Sequence, residues 1–222
     1  MEFAMDILIT GTSDGIGRAT AEYFLERGHS VVGFDRKSPA LAHPNYRHVI
    51  LDICDADAYP EDVQPEILIN NAGVQDSGRD IEINLMGTIR ITEKYAIANP
   101  RIRAVVMVGS ASAHTGSEFP EYAASKGGLL TYTKNAALRL APRAVCNSID
   151  PGGVLTDLNR PVMEDPELWN QIMALTPLRR WATPEEIAEW IYFVGVRNRF
   201  MTGQNLLIDG GEAGDAHFVW KD

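Results

Sequence analysis

Short apolar runs alternate along the chain with longer segments in which apolar residues recur at helical spacing. Seven of these runs have the length and the Ile, Val and Leu content of buried strands. They are Asp6–Thr10, Ser30–Phe34, His48–Leu51, Ile67–Asn70, Ala104–Ser110, Ala144–Ile149 and Asn205–Ile208. Strands that are apolar throughout are typical of a parallel sheet covered on both faces. The pattern predicts an α/β fold with a doubly wound, seven-stranded parallel sheet in a three-layer αβα arrangement.

Four segments of helical periodicity lie between these strands, at Ile16–Arg27, Asp80–Ala98, Tyr122–Leu140 and Pro184–Val194. The last has a well-marked start: Thr183 is the predicted N-cap, Pro184 takes the first position, and two glutamates follow in the first turn. Right-handed crossovers between the parallel strands are expected.

The long connection at about residues 152–182 is divided by prolines into short pieces. Connections of this length usually bind ligands or cover a site. Its large apolar residues are consistent with a lid over a bound ligand, although an ordinary buried helix shows the same spacing. They are Met163, Trp169, Met173 and Leu178. Because no linker divides the sequence, we expect residues 1–222 to form a single domain with this substrate loop.

Composition and charge narrow the class of partner. The chain has 222 residues, 45% of them apolar, and a formal net charge of −10, which would repel nucleic acid and anionic membranes. The apolar runs are too short to span a membrane and Met1–Asp6 does not resemble a signal segment, so a cytoplasmic protein is expected. Cys54 and Cys146 lack the spacing of a metal site or disulfide framework and are interpreted as core residues.

A glycine-rich turn follows the first predicted strand and opens the first helix: Thr10-Gly11-Thr12-Ser13-Asp14-Gly15-Ile16-Gly17. Such a turn lets backbone N–H groups approach a pyrophosphate at a helix N-terminus. Asp35 follows Gly17 by 18 residues, at the end of the next strand. This combination predicts a Rossmann-type dinucleotide-binding site.

The residues around Asp35 bear on the choice between NAD and NADP. A carboxylate here accepts hydrogen bonds from the adenosine ribose and repels the extra phosphate of NADP, by roughly 4 kcal/mol for like charges at about 4 Å and a dielectric constant near 20. Asp14 adds further negative charge in the glycine turn. Arg36 is the counter-argument, because a guanidinium binds such a phosphate well. The sequence favours NAD and leaves NADP open.

Tyr122 and Lys126 are separated by four residues at the start of a predicted helix, which puts them on one face. A phenol is a poor base at neutral pH, but a nearby ammonium group stabilises its phenolate. The pair is therefore suited to moving a proton. By itself the YxxxK spacing is common and would be read as a surface helix.

Four more motifs occur in order with the glycine turn and YxxxK: Asp52-Ile53, Asn70-Asn71-Ala72-Gly73, Asn84-Leu85-Met86-Gly87 and Pro151-Gly152-Gly153-Val154-Leu155-Thr156. With these motifs the chain resembles the short-chain dehydrogenases/reductases over nearly its whole length, in the branch with a TGxxxGxG turn. The resemblance implies an oxidoreductase that transfers hydride between a nicotinamide cofactor and an alcohol or carbonyl substrate.

The resemblance also implies residue roles. The catalytic tetrad would be Asn84, Ser110, Tyr122 and Lys126, with the serine orienting the substrate oxygen and the asparagine holding a water beside the lysine. The implied cofactor-binding residues are Gly11, Ser13, Asp14, Gly15, Ile16, Gly17, Asp35, Arg36, Asp52, Ile53, Asn71, Ala72, Gly73, Tyr122, Lys126, Pro151, Gly152, Val154 and Thr156. Of these, the Val154 backbone and the Thr156 side chain would hold the nicotinamide carboxamide.

Two departures from the family pattern affect the site. Ser110 precedes Tyr122 by 12 residues, whereas the family's spacing of about 13 falls on Gly109, and Ser112 is a competitor for the serine role. We favour Ser110, because shortening the intervening loop by one residue is a simpler change than moving the serine away from the strand end.

The chain is also about ten residues short between Asp52 and Asn70, and again between Asn71 and Asn84, so two connecting helices are expected to be trimmed. The second shortening should bring residues 76–80 close to the site.

The substrate is not determined by the sequence. His114, Ser112 and Gly153 are candidate contacts, although a histidine in such a loop is more often simply a polar loop residue. A secondary alcohol dehydrogenase or ketone reductase is favoured. A 3-oxoacyl-carrier-protein reductase is the alternative, suggested by Thr176-Pro177-Leu178-Arg179-Arg180, and a non-catalytic dinucleotide sensor is a further one.

The resemblance further implies a homotetramer or homodimer in which the last strand and its flanking helix pack across a two-fold axis. The tail after that strand carries Phe218, Val219 and Trp220, and these are expected to anchor it to a neighbouring subunit or to cover a groove on their own.

Overall fold

Seven parallel strands form the central sheet, in the order β3-β2-β1-β4-β5-β6-β7. The computed structural model describes residues 3–117 and 119–214. The strands are β1 Asp6–Thr10, β2 Ser30–Asp35, β3 Tyr46–Ile50, β4 Ile67–Asn70, β5 Ala104–Val108, β6 Val145–Pro151 and β7 Asn205–Ile208. This arrangement confirms the predicted doubly wound α/β sheet. The expectation for Phe218, Val219 and Trp220 concerns residues outside the described ranges.

Helices cover both faces of the sheet. Their bounds are α1 Gly15–Glu26, α2 Thr88–Thr92, α3 Ser112–Thr115, α4 Pro120–Leu140, α5 Arg160–Met163, α6 Pro166–Leu175 and α7 Pro184–Tyr192. Helix α2 lies between two π-helical segments, Ile81–Gly87 and Glu93–Ile97, and a third, Phe193–Arg197, continues α7. Short 3-10 turns occupy Ala56–Ala58, Asp157–Asn159 and Glu212–Gly214.

The alternation of side chains along the strands divides the core into two layers. On β1, Ile7 and Ile9 pack with Phe24 of α1 and Ile191 of α7. Leu8, which lies between them, belongs to the opposite layer. That layer includes Ile91 and Tyr95 of the α2 region and Leu140 of α4. Because both faces of each central strand are buried, the strands are apolar at successive positions.

Four predicted strands, β2, β3, β5 and β6, have different bounds in the structure, and the larger differences have a local cause. β3 begins at Tyr46, before the predicted His48, because Tyr46 already pairs with Val31. β5 ends at Val108 and not at Ser110, since the Ser110 carbonyl accepts the Ala113 N–H at 3.1 Å and so begins a turn. β6 continues through Pro151, beyond the predicted Ile149, because its last residues pair with β7.

The two shortened connections differ in what remains of them. Between β3 and β4 the chain keeps only the 3-10 turn at Ala56–Ala58. After β4, residues 71–80 form a loop that leads directly into Ile81–Gly87. Among the residues that the structure describes, no helix combines the length and apolar character that a membrane span requires.

Candidate active site

A cleft of about 1380 Å³ opens at the carboxyl ends of the strands. The chain leaves β1 and β4 in opposite directions along the sheet, and such a switch point is where open α/β sheets bind ligands. Segments that follow β1, β2, β4, β5 and β6 all line this cleft.

The glycine turn between β1 and α1 forms the floor of one end of the cleft. Gly11 has φ +78°, a conformation that favours glycine. A Cβ at Gly17 would lie 1.9 Å from the Gly11 carbonyl oxygen, so any side chain there would separate the helix from the turn. Asn71, which follows β4, donates its side-chain amide to the Thr10 and Gly11 carbonyl oxygens at 3.0 and 3.1 Å. The turn is thereby fixed from two sides before any ligand binds.

Asp35 at the end of β2 accepts two backbone hydrogen bonds. The Ser13 N–H donates to one carboxylate oxygen and the Lys37 N–H to the other, each at 2.9 Å. The Ser13 hydroxyl donates to the Ser38 carbonyl oxygen at 3.1 Å. Asp35 therefore ties the glycine turn to the loop after β2 and is held in place at the rim of the cleft.

Two cations flank Asp35, and each is matched by an acid. Arg36 approaches Asp52 at 3.9 Å, and Lys37 forms an ion pair with Asp14 of the glycine turn. The Asp14 contact raises the pKa of Lys37. Sequence reasoning did not single out Lys37, although its place directly after Asp35 and Arg36 was a usable signal.

Helix α4 places Tyr122 and Lys126 on the wall of the cleft, next to the end of β5. The Lys126 ammonium nitrogen lies 5.8 Å from the centre of the Tyr122 ring and donates to the Val108 carbonyl oxygen at 2.8 Å. Burial lowers the pKa of Lys126 to about 8, while the Asp150 and Asp80 carboxylates act in the opposite direction. A phenol and a buried amine thus share one face of the cleft.

Asn84 is fully buried in the π-helical segment Ile81–Gly87. Its side-chain oxygen accepts the Val74 N–H, and its nitrogen donates to the Val74 carbonyl oxygen, both at 2.8 Å. The same nitrogen donates to the Ser125 hydroxyl at 3.0 Å, one residue before Lys126. π-Helical turns are frequent at functional sites. Here the turn joins the loop after β4 to the helix that carries the tyrosine and lysine.

Ser110 and Ser112 both line the cleft, and their hydroxyl oxygens lie 3.1 Å apart. The Ser112 N–H also donates to the Ser110 hydroxyl oxygen, at 3.2 Å. His114 is not among the cleft-lining residues; its Nε2 lies 2.7 Å from a carboxylate oxygen of Asp150. The two candidate serines therefore form one hydrogen-bonded unit.

The segment after β6 forms the opposite wall. Gly153 packs directly against the Trp181 indole, since a Cβ there would lie 2.0 Å from the ring. Val154 forms a parallel bridge with Ala182, which fixes the start of the long connection against its end. Thr156 approaches the glycine turn, because a Cβ at Gly15 would lie 3.3 Å from the Thr156 methyl group.

The long connection lines the cleft with a different helix face from the one expected. Leu168, Ile172 and Leu175 of α6 line it, together with Leu158 and Val162. Of the four apolar residues predicted to form the lid, none lines the cleft; they are Met163, Trp169, Met173 and Leu178. Trp169 instead packs edge-to-face on Trp181, with ring centres 4.9 Å apart. With Trp169 against Trp181, the face of α6 that carries Leu168, Ile172 and Leu175 lines the cleft.

Most of the predicted cofactor residues line this one cleft, and two of them lie behind it. Ser13 and Gly17 are buried in the turn and shape it without lining it. The predicted residues that line it are Gly11, Asp14, Gly15, Ile16, Asp35, Arg36, Asp52, Ile53, Asn71, Ala72, Gly73, Tyr122, Lys126, Pro151, Gly152, Val154 and Thr156. The glycines and fixed turn fit a dinucleotide, because they leave the backbone accessible to a pyrophosphate.

Residues 64–212 match the family described as enoyl-(acyl carrier protein) reductase. The chain belongs to the short-chain dehydrogenase/reductase family. It is an oxidoreductase that acts on CH–OH or carbonyl groups with a nicotinamide dinucleotide cofactor.

Individual members of the short-chain dehydrogenase/reductase family match across most of the chain. The 3-oxoacyl-(acyl-carrier-protein) reductase FabG of Salmonella typhimurium is 29% identical, over 92% of this chain and 95% of its own length. The aldohexose dehydrogenase structure of Thermoplasma acidophilum has a TM-score of 0.86 at 28% identity and covers 99% of this chain and 98% of its own. A 4-hydroxyisoleucine dehydrogenase complexed with NADH has a TM-score of 0.87 at 28% identity, over 95% and 99% of the two chains.

Proposed function

We propose that this chain is an NAD-preferring dehydrogenase or reductase that interconverts a secondary alcohol and a ketone. The observation that carries the proposal is the pairing of Tyr122 with the buried Lys126 on the wall of a cleft that also contains the glycine turn. Bound nicotinamide supplies or accepts the hydride. The protein has to supply a proton at the substrate oxygen and a defined position for the substrate.

Tyr122 donates the proton to the substrate oxygen during reduction and takes it back during oxidation. An ammonium group near a phenol favours the phenolate and so brings its proton affinity closer to working pH. Lys126 is held in that position by its hydrogen bond to the Val108 carbonyl oxygen. Its pKa, which burial lowers to about 8, leaves most of the side chain protonated at neutral pH.

Ser110 orients the substrate oxygen, with Ser112 as its hydrogen-bonded neighbour. Both serines line the cleft, and we prefer Ser110 because it is closer to the end of β5. Asn84 contributes by fixing the loop after β4 through Val74 and the base of α4 through Ser125. Its side-chain amide is engaged by these contacts, so its proposed role is to position the tyrosine-bearing helix.

Asp35 supports the preference for NAD. Its carboxylate is held at the cleft rim by the Ser13 and Lys37 N–H groups, where it would accept hydrogen bonds from the ribose. The two nearby cations are each matched by an acid, which reduces their attraction for an additional phosphate. Asp35 is the acid left over in this group, and its charge gives a local field that disfavours NADP.

The substrate side of the cleft suits a small, uncharged molecule. It combines the hydroxyls of Ser110 and Ser112 with an apolar wall from Leu168 and Ile172. The Glu212 carboxylate also lines the cleft and accepts a hydrogen bond from Thr176. A carboxylate at this position disfavours anionic substrates.

A carrier-protein-dependent 3-oxoacyl reductase is the alternative, and the family relative from Salmonella typhimurium favours it. Docking of an acidic carrier requires accessible basic residues. Arg179 donates to the Met173 and Ala174 carbonyl oxygens at the end of α6, and Arg180 forms a two-fold hydrogen bond with Glu186. Both arginines are exposed, but Glu186 offsets the charge of Arg180, so the basic patch is weak and the alcohol or ketone proposal is preferred.

The first test is a cofactor-consumption assay on sugars, steroids, hydroxy acids and acyl thioesters, followed by Tyr122→Phe on the active substrate. The change removes one hydroxyl and little packing, so NADH binding should persist while turnover falls by about 10² or more. NADH binding is measured by fluorescence titration. Tyr132→Phe is the matched control: Tyr132 lies on the same helix, is not among the cleft-lining residues, and donates its hydroxyl to Glu93.

The proposed mechanism predicts different turnover for the two variants. Tyr132→Phe should keep wild-type turnover. Near-wild-type turnover of Tyr122→Phe would contradict the proton role. Activity restricted to acyl thioesters would instead favour the carrier-dependent alternative.

A further inference from the structure

A buried carboxylate lies behind the catalytic wall. Asp150, the residue before Pro151 on β6, is fully buried. One of its carboxylate oxygens lies 2.7 Å from His114 Nε2, and the other has no hydrogen-bond partner among the described residues. The His114 side chain is 27% exposed, so the pair connects the buried carboxylate to the protein surface. A charge in such a place requires compensation.

The carboxylate occupies the space that a side chain at residue 109 would need. A Cβ added to Gly109 would lie 2.0 Å from the unpartnered Asp150 oxygen. This contact explains why residue 109 is glycine at the position where the family spacing would place a serine. The position of the Asp150 carboxylate therefore requires a glycine at residue 109.

The same backbone segment binds the lysine of the site. Lys126 donates to the Val108 carbonyl oxygen at 2.8 Å, and that carbonyl belongs to the peptide group that joins Val108 to Gly109. The ammonium of Lys126 and the carboxylate of Asp150 thus adjoin the same short stretch of β5. Each is buried, and the two carry opposite charges.

The charged and titratable groups around Lys126 come from its own helix and from elements packed against it. Tyr122 lies on the same helix. Asp80 precedes the π-helical segment Ile81–Gly87, and Asp150 lies near the end of β6, where His114 of α3 contacts it. One Asp80 oxygen accepts hydrogen bonds from the Ser77 N–H and hydroxyl, and the other has no partner among the described residues. Burial lowers the pKa of Lys126, and Asp150 is the larger of the two opposing influences.

We propose that Asp150, oriented by His114, is a positioning residue that keeps the buried Lys126 in its ammonium form. A neutral amine would not stabilise the Tyr122 phenolate, so the pair acts on proton transfer through Lys126. This consequence for catalysis rests on the proposed function, whereas the coupling between Asp150 and Lys126 does not. His114 is thereby assigned to the support of the site.

The direct test follows Lys126 itself in the protein without substrate. Lysine is labelled with 13C at Cε, and the five lysine signals are titrated by NMR, with Lys126→Arg identifying the signal that belongs to residue 126. Asp150→Asn keeps the shape of the side chain and removes its charge. The titration midpoint of Lys126 should fall by about one pH unit, a tenfold change in its protonation equilibrium.

Two substitutions at His114 provide a second test by the same NMR titration. His114→Gln retains an N–H donor for the carboxylate, so the Lys126 midpoint should stay within about 0.3 unit of wild type. His114→Leu removes the donor, which favours protonation of the buried Asp150, and the Lys126 midpoint should move in the same direction as in Asp150→Asn. Circular dichroism and thermal melts establish that each variant is folded. If Asp150→Asn does not fold, the comparison between the Gln and Leu variants decides the question.

An unmoved Lys126 midpoint in folded Asp150→Asn, or equal midpoints in the two His114 variants, would overturn the proposal. The alkaline limb of the kcat profile should follow the Lys126 midpoint to lower pH in Asp150→Asn. If the midpoint moves but Tyr122→Phe retains turnover, the proposed function fails while the coupling stands. If Tyr122→Phe loses turnover and the Lys126 midpoint does not move, the coupling between Asp150 and Lys126 fails while the proposed function stands.

Discussion

Asp35 fixes local structure and, in the proposed function, also favours NAD over NADP. Its two carboxylate oxygens accept N–H groups from Ser13 and Lys37, so the side chain is fixed before the cofactor arrives. A preformed acceptor gives a ribose hydroxyl two remaining lone-pair directions. It also presents a negative charge to any phosphate on that ribose. Lys37 and Arg36 weaken this field without removing it, because each lies against an acid.

We expect the wild-type protein to prefer NAD over NADP by about tenfold to a hundredfold in kcat/KM, or about 1.4 to 3 kcal/mol. Asp35→Asn should narrow this ratio by about tenfold, since it removes the charge and keeps one acceptor oxygen. Asp35→Ala should narrow it as well and should raise KM for both cofactors, because the turn loses its anchor. Steady-state kinetics with both cofactors provide the measurement. Equal or better use of NADP by the wild type would contradict the prediction.

Helix α7 illustrates how local sequence fixes an element on which the site depends. The Thr183 hydroxyl accepts the Glu186 N–H at 3.3 Å, and the Glu186 carboxylate accepts the Thr183 N–H at 2.9 Å, which completes a capping box. The Arg180 guanidinium and the capping contact hold the pKa of Glu186 at about 2. Because α7 shares a core layer with α1, the cap helps to support the helix that follows the glycine turn.

Thr183→Ala should lower the free energy of unfolding by about 1 kcal/mol, because a helix N–H loses its acceptor. For a protein of this size that corresponds to a decrease of about 2–4 °C in Tm. Thr183→Ser keeps the hydroxyl and should retain most of the stability. Thermal melts and urea titrations of the three proteins at equal concentration measure the difference. Equal Tm values for the Ala and Ser variants would show that the cap contributes little.

At the scale of the whole molecule, α7 and the segment after it expose large aromatic side chains. Trp190 is 44% exposed and Phe193 48%, and their rings meet edge-to-face with centres 6.3 Å apart. Phe200 is 96% exposed. An exposed aromatic pair such as Trp190 and Phe193 is typical of protein–protein contacts. The family resemblance suggested contacts through this helix and the last strand, and we expect the chain to self-associate here.

Replacing Trp190 and Phe193 together with Glu should reduce the molar mass in solution to that of the 24.5 kDa chain. Buried carboxylates without partners are strongly unfavourable in an interface, whereas they are hydrated in a free monomer. Light scattering over a range of concentrations measures the mass. Glu189→Gln, an exposed position on the same helix, is the control and should leave the mass unchanged. An assembly that survives the double substitution must use another surface.

The sequence by itself determined the sheet and much of the cofactor end of the cleft. Apolar runs of strand length predicted all seven strands. The reason is clearest for β1, β4 and β5, which are buried on both faces and have few polar positions, whereas the edge strands β3 and β7 are only partly buried. The glycine turn and the Tyr122–Lys126 spacing follow from backbone geometry over a few residues, so local sequence specifies them. The start of α7 was predictable for the same reason: Thr183, Pro184 and Glu186 act within one helical turn.

Only the tertiary structure decided which side chains meet across the fold. His114 and Asp150 are 36 residues apart, and nothing in the local sequence of either indicates the other. The Trp169–Trp181 contact and the face of α6 that lines the cleft were likewise not apparent from the periodicity of that helix. Periodicity reports that a helix buries one face, but the identity of its partner depends on how distant elements pack. The proposed support of Lys126 therefore depends on β5, β6 and α3 lying side by side in the fold.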